Sequence, residues 1–167
     1  MILGKDEILR LIKGKPPLIE GYLDLDTQLQ PSGFDLTVKE IYVPEEEGEI
    51  DFSNRRRKIP RWHELKAQDE AFSLRPGAYI ISYNEKVNLP LNIAAMVKPR
   101  SSLLRMGATI ATALWDPGYR GRGKSLLLVF NPHGIRLYRN ARVAQMVFFS
   151  VTGGTGAGYK GLFQHEK

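Results

Sequence analysis

The chain contains no cysteine. That excludes a disulfide framework and thiolate metal sites, and sets the expectation of an intracellular, cytoplasmic protein. No apolar run approaches the roughly 20 residues that a membrane-spanning helix needs. The opening MILGKDEILR lacks the apolar centre of a signal peptide. The glycine-rich stretch Thr152–Lys167, TGGTGAGYKGLFQHEK, lacks the G-x-x-x-x-G-K-[ST] order of a nucleotide-binding P-loop. Acidic residues are scarce in one part of the chain only. Residues 98–167 hold 11 Lys/Arg but just two acids, Asp116 and Glu166, a net of +9. Residues 1–97 hold 13 Lys/Arg and 16 Asp/Glu, a net of −3, and the two parts sum to the overall +6. A strongly basic half implies an anionic partner, either nucleic acid or a multiply charged nucleotide. Asp116 is the only carboxylate between Lys98 and His165. An acid so isolated is a turn-former or the group that moves a proton.

What is present describes an ordinary globule. The 167 residues are 43% hydrophobic and 25% charged, enough for one domain with a core of its own. Lys5–Lys13 (KDEILRLIK) predicts a short helix, with Ile8, Leu9 and Ile12 on one face and acids in its first turn. Gly14 and Pro16-Pro17 end it, and Leu18–Gln30 reads as loop or short edge strand. Leu36, Val38, Ile41 and Val43 predict a strand with a slip near Glu40. Further strands are expected over Ala78–Tyr83, Ser125–Asn131, Ile135–Tyr138 and Arg142–Val151. Short strands at close spacing, broken by turn signals, predict an all-β sandwich or barrel with one or two small helices. Residues 1–152 form the expected domain, and residues 153–167 a glycine-rich tail that either stays flexible or closes over a bound nucleotide.

The chemistry gathers between Val97 and Asn131. PRSSLLR (Pro99–Arg105) supplies two guanidiniums and two hydroxyls, groups that hold phosphate oxygens. WDPGYRG (Trp115–Gly121) supplies a carboxylate, a turn and an aromatic ring. A carboxylate beside a phosphate cradle can orient and deprotonate a water, and a ring can pack on a sugar or base. Either motif alone is also an ordinary structural turn; their order, closeness and basic setting favour hydrolysis of a nucleotide phosphoanhydride. The opposed charge runs EEEGEID (Glu45–Asp51) and RRRKIPR (Arg55–Arg61) read as a solvated loop pair. A nucleic-acid patch on RRRK is the weaker reading, since no aromatic interleaves it. His63 carries no motif and reads as an ordinary surface or core histidine.

Four motifs in order resemble those of the dUTPase / dCTP deaminase family: PSGFDL at Pro31, PRSSLLRMG at Pro99, ALWDPGYRG at Ala113 and RVAQMVF at Arg142. The tail, with GYKGLFQ at Gly158, is a looser match to the last motif. MILGKDEI and LRPGAYIISYNEKVNLP are similar to the deaminase-like branch, including its archaeal members. The resemblance implies a jelly-roll-like, distorted β-barrel assembled as a homotrimer, with nucleotide sites shared between chains and a β-hairpin whose backbone reads the base edge. It implies that Asp116 activates the attacking water. Tyr119 would pack on deoxyribose and exclude a 2′-hydroxyl. Arg100, Ser101, Ser102, Arg105 and Gln145 would hold phosphates, Asp35 would stand near magnesium-bound waters, and Lys160 and Phe163 would close over substrate.

One departure separates the branches. The family's deaminases carry a Glu on the strand after the third motif, and here that strand is SLLLVFN. Counting from either end puts a leucine at the place, Leu126 or Leu128, and leucine carries no proton to a pyrimidine ring. The expected function is therefore dUTP pyrophosphatase: dUTP, with Mg²⁺ as cofactor, gives dUMP and diphosphate by attack at the α-phosphorus. The near alternative is a dCTP deaminase or a bifunctional enzyme, opposed by the missing Glu. More remote are a deoxynucleotide sensor without turnover, opposed by the retained Asp116, and a nucleic-acid-binding β module, opposed by the lack of an aromatic–basic stripe.

Overall fold

The computed structural model describes residues 1–153 and 155–166. The chain begins with α1 (Lys5–Ile12), β1 (Ile19–Glu20), α2 (Leu25–Gln28), β2 (Leu29–Gln30) and the long β3 (Gly33–Pro44). β4 (Trp62–Glu64), β5 (Ala71–Leu74), β6 (Gly77–Tyr83), β7 (Lys86–Asn88) and β8 (Ile93–Pro99) follow. Then come α3 (Ser101–Arg105), β9 (Ala108–Ala111), β10 (Arg120–Gly121), β11 (Lys124–Val129), β12 (Ile135–Tyr138) and β13 (Arg142–Ser150).

The main sheet runs β8-β13-β3-β6-β11-β9, antiparallel throughout, with β2 and β4 added alongside β3. β3 belongs to both halves of it. Its first residues, Phe34–Thr37, pair with β13, and Val38–Tyr42 pair with β6. The change of partner falls at two register shifts, Val38/Glu40 and Arg142/Ala144. A bulge bends a strand and sharpens its twist, which is how one strand turns the corner of a barrel. The slip anticipated near Glu40 is this bulge.

Alternation sets the core. Val38, Ile41, Phe34, Ile81, Leu127, Met146 and Phe148 are all fully enclosed. On β11, Ser125, Leu127 and Val129 point inward while Lys124, Leu126 and Leu128 lie on the opposite face, as a period of two requires. α1 buries Ile8 and Ile12, the face expected for it. Leu18–Gln30 is more ordered than a loop: Asp24 caps α2 by accepting from the Asp26 N–H at 3.3 Å. The charged loop pair forms a hairpin arm, closed by Glu49–Lys58 backbone pairing and by Lys58 and Arg61 on Glu46.

The barrel closes beyond the last main-sheet strand. β9 pairs with β11 only from Ala108 to Ala111. The chain then leaves β11, and Trp115 forms an antiparallel bridge with Ala95 on β8. The hairpin is thus split open at its outer end, and Asp116 and Tyr119 lie beside the split.

Candidate active site

A cavity of about 370 Å³ fills the split. One wall is Ala111–Asp116 leaving β9, and the facing wall is Gly123–Leu126 entering β11. The backbone N–H and C=O groups of Thr112, Ala113 and Leu114 have no hydrogen-bond partner among the described residues. A row of free donors and acceptors in an otherwise apolar slot can read the alternating polar edge of a planar ring. Trp115, 7% exposed, packs its ring over Gly123, where any Cβ would run into the indole. The glycine is therefore fixed by close approach.

Tyr119 stands at the cavity's inner end, 6% exposed. Its ring meets Trp115 edge-on at 5.1 Å between centroids and Tyr159 at 5.5 Å, contacts worth about 0.5–1.5 kcal/mol each beyond area burial. Its hydroxyl is buried without a hydrogen-bond partner among the described residues. Burial first, then the Glu166 carboxylate nearby, push its pKa up, so it stays a neutral phenol. Asp116 lines the same cavity and is exposed, so a water can reach its carboxylate. The Asp116 carbonyl accepts the Tyr119 N–H at 3.1 Å, which makes the D-P-G turn a rigid link between carboxylate and ring.

The remaining motif residues gather elsewhere, around β3, β8 and β13. Asp35 is 1% exposed, and its Oδ2 receives Arg100 Nε at 3.1 Å and Arg142 Nη1 at 3.2 Å. Burial raises the Asp35 pKa while the two guanidiniums oppose the rise. A carboxylate oxygen already held by two cations is a poor place for a dication. In this chain Asp35 anchors and orients Arg100 and Arg142. Removing one member of such a set costs roughly 3 kcal/mol, the low end for buried pairs because both arginines are a third open to water. Arg100 also donates through Nη1 to the Arg142 carbonyl at 3.3 Å, which leaves Nη2 free among the described residues. Ser101, Ser102 and Arg105 are exposed on and beside α3, with Arg105 Nη1 on the Ser101 carbonyl at 3.3 Å. Gln145 on β13 lies in register with Asp35 on one side and Lys98 on the other.

The structure thus brings Asp116, Tyr119 and Phe163 together in one cavity. It puts Arg100, Ser101, Ser102, Arg105, Gln145 and Asp35 outside that lining, and Lys160 exposed on the tail. Sequence reasoning passed over Ile59, Trp62, Lys124 and Glu166, which all line the cavity. Ile59 and Trp62 arrive on the charged arm, which carried no motif. Glu166 had one faint signal, as the second acid of the basic half. Leu126, not Leu128, lines the cavity wall. Among the described residues no group of three or more His, Cys, Asp or Glu is arranged to hold a metal.

Comparison with known proteins agrees with this architecture. The family described as dCTP deaminase-like matches residues 2–151, and the chain belongs to that family. It is 46% identical over 166 residues to a Methanosarcina mazei protein named "Probable deoxyuridine 5'-triphosphate nucleotidohydrolase", covering 99% of this chain and 97% of that one. It is 44% identical over 141 residues to the deoxyuridine 5'-triphosphate nucleotidohydrolase of Methanocaldococcus jannaschii, covering 83% and 88%. Among solved structures, the 2'-deoxycytidine 5'-triphosphate deaminase from Agrobacterium tumefaciens superposes with a TM-score of 0.64 at 25% identity, over 88% of this chain and 47% of that one.

Proposed function

We propose that the protein hydrolyses dUTP to dUMP and diphosphate, with water attacking the α-phosphorus. The carrying observation is the cavity of the split hairpin, which sets a free backbone edge, an aromatic ring and a water-accessible carboxylate around one space. The base lies against Thr112–Leu114, where free N–H and C=O groups match the donor–acceptor edge of uracil. Tyr119 receives the deoxyribose and leaves no room for a 2′-hydroxyl. Asp116 orients the water and takes its proton as the bond to phosphorus forms. Catalysis is mainly positioning and electrostatics.

The phosphates need the second cluster: Arg100 with its free Nη2, the hydroxyls of Ser101 and Ser102, Arg105 and Gln145. These do not line the cavity of their own chain. A complete site is therefore assembled from two copies in a homotrimer, one giving the hairpin and the next the phosphate-binding residues. Met96, Leu104, Leu114 and Phe130, large apolar side chains exposed on the single chain, support such an association. The names of the archaeal relatives favour the same substrate.

Mg²⁺ enters with the triphosphate as part of the substrate. Asp35 is committed to arginines and Asp116 is a single carboxylate, so the residues fit a metal carried by phosphates and water rather than a resident ion. Bound there, it neutralises charge on the phosphates. A deoxynucleotide substrate implies work in the cytoplasm. The family description and the neighbouring deaminase favour deamination as the second reading, and Leu126 in the cavity wall opposes it.

The test is incubation with dUTP, dCTP, dTTP and UTP in Mg²⁺, with products separated by chromatography. dUMP and diphosphate from dUTP alone are expected. Failure to turn over dUTP overturns the reading.

A further inference from the structure

A second cavity, of about 360 Å³, lies beyond the strand that follows Tyr119. β10 pairs with β7 through Arg120 and Asn88 and through Gly121 and Val87, and the Tyr119 carbonyl receives the Leu89 N–H at 2.9 Å. Neighbouring residues of an extended chain face opposite ways. Tyr119 accordingly lines the first cavity and Arg120 the second, and the two cavities share no lining residue.

The buried part of this lining is Leu18, Asn88 and Leu89, at 1%, 5% and 2% exposed. Asn88 donates through Nδ2 to the Pro17 carbonyl at 2.8 Å and to Glu20 Oε1 at 2.6 Å. Its Oδ1 receives no hydrogen bond among the described residues. A buried amide oxygen normally has a donor, and a molecule in the cavity can supply it. The charged lining residues are Arg10, Lys15 and Arg120, with no carboxylate among them. Arg10 and Lys15 come from α1 and the turn after it, and Arg120 from β10, so positive charge converges from two elements. Glu7 holds Arg10 at 2.6 Å, and Glu20 lies 3.8 Å from Lys86; neither glutamate lines the cavity. Lys15 and Arg120 have no ion-pair partner among the described residues.

We infer that this cavity is a binding site for a small phosphate monoester. Arg10, Lys15 and Arg120 hold the phosphate oxygens. Leu18 and Leu89 take the carbon skeleton, and Asn88 Oδ1 accepts from a hydroxyl or N–H of the ligand. A phosphate monoester carries roughly −1.5 to −2 at neutral pH, which matches the two unpaired cations better than a carboxylate does. The volume falls in the range of small-molecule sites, about 300–1,000 Å³. The site stands apart from the dUTPase reading, which concerns the other cavity.

The test reads Lys15 directly in the full chain. Acetylation of Lys15 and Lys13 by acetic anhydride is followed by peptide mass spectrometry. Lys13 is exposed two residues away and does not line the cavity, so it reports plain charge screening. Deoxyribose 5-phosphate and dUMP, titrated to saturation, are the probes. Acetylation of Lys15 should slow about fivefold with Lys13 unchanged. Protection by both probes means a sugar phosphate suffices, and protection by dUMP alone means a nucleotide is read; either supports the site. Deoxyuridine, which lacks phosphate, should protect neither lysine. Arg120→Gln and Arg10→Gln should each cut the protection below about twofold, with Lys15 kept as reporter. Arg10 is exposed on α1, so its variant carries the test even where a change in β10 disturbs folding. An unprotected Lys15, equal protection of Lys13, protection by deoxyuridine, or protection that survives both variants overturns the inference. Turnover of dUTP is measured separately and bears only on the other cavity.

Discussion

Ala95 and Trp115 exchange both backbone hydrogen bonds, each 2.9 Å long. This one bridge draws the chain from β11 over to β8, closes the barrel and opens the hairpin beside it. The cavity is the consequence. Backbone groups that would have continued the β9–β11 ladder are left free at Thr112–Leu114, and Asp116 and Tyr119 follow directly on the turn.

Asp116 is the exposed carboxylate of that cavity. Asp116→Asn keeps the shape and removes the base. kcat for dUTP should fall roughly 100-fold or more, with dUTP binding largely retained. Steady-state kinetics beside a calorimetric titration check both halves, and a variant turning over at the parent rate would sink the assignment.

Tyr119 stands between Trp115 and Tyr159 and is almost wholly enclosed. Tyr119→Ala should lower the ratio of kcat/KM for dUTP over UTP, because the space denied to a 2′-hydroxyl becomes available. It should also cost about 3–5 kcal/mol of stability, as other large aromatic deletions do. The two effects are separable by measuring the ratio well below the melting temperature. An unchanged ratio would place sugar selection on another residue.

Much of this was legible in the residues, for physical reasons. β12 was readable because alternation and turn signals bound it on both sides, and β13 to within a residue. α1 was readable from its apolar face, again to within a residue. The bulge near Glu40 showed as a break in the alternation of β3. What stayed hidden depends on distant chain segments meeting. Nothing in RRRKIPRWHE says that Ile59 and Trp62 wall a cavity formed some 60 residues later. Glu166 sits in a glycine-rich stretch whose local pattern is that of a loose tail, and the backbone bonds of His165 to Arg120 and of Arg122 to Glu166 bring it in. The pairing of Asp35 with Arg100 and Arg142 was hidden too, because these partners are far along the chain.

Glu85 is 1% exposed and no cation pairs with it among the described residues. Its carboxylate receives Gln28 Nε2 at 2.7 Å, the Thr37 N–H at 2.9 Å and the Thr37 hydroxyl at 2.6 Å. Burial raises its pKa, with the bonds from Thr37 and Gln28 opposing. A raised folded pKa contributes stability that is complete below the ordinary glutamate range and lost as pH rises through the raised value. Glu85→Gln is neutral at every pH and escapes that loss. The melting temperature of the variant minus that of the parent should therefore increase with pH between roughly pH 4 and 8. Calorimetry at several pH values measures it; a flat difference would mean Glu85 titrates alike in folded and unfolded chains.

The last prediction concerns dCTP. Deamination replaces the ring's amino group by oxygen from water, and a protein group must carry protons between them. The strand that faces the cavity offers Leu126 there, with Leu127 in the core and Leu128 beyond the lining. Glu85 is enclosed in its own hydrogen-bond set and is absent from the cavity lining. Two carboxylates do line the cavity, Asp116 and Glu166. Asp116 is proposed to serve the phosphate side, and Glu166 is bound to Lys124. Glu at position 126 alone would not install the activity, because Lys124, the cation on the same face of β11, is already held by Glu166 and the added charge would lack a built partner. Incubated with Mg²⁺ and dCTP, the protein should give neither dUTP nor dUMP by chromatography, while dUTP in a parallel reaction is consumed. Either product above a control lacking enzyme would move deamination into first place, with Glu166 the first residue to replace.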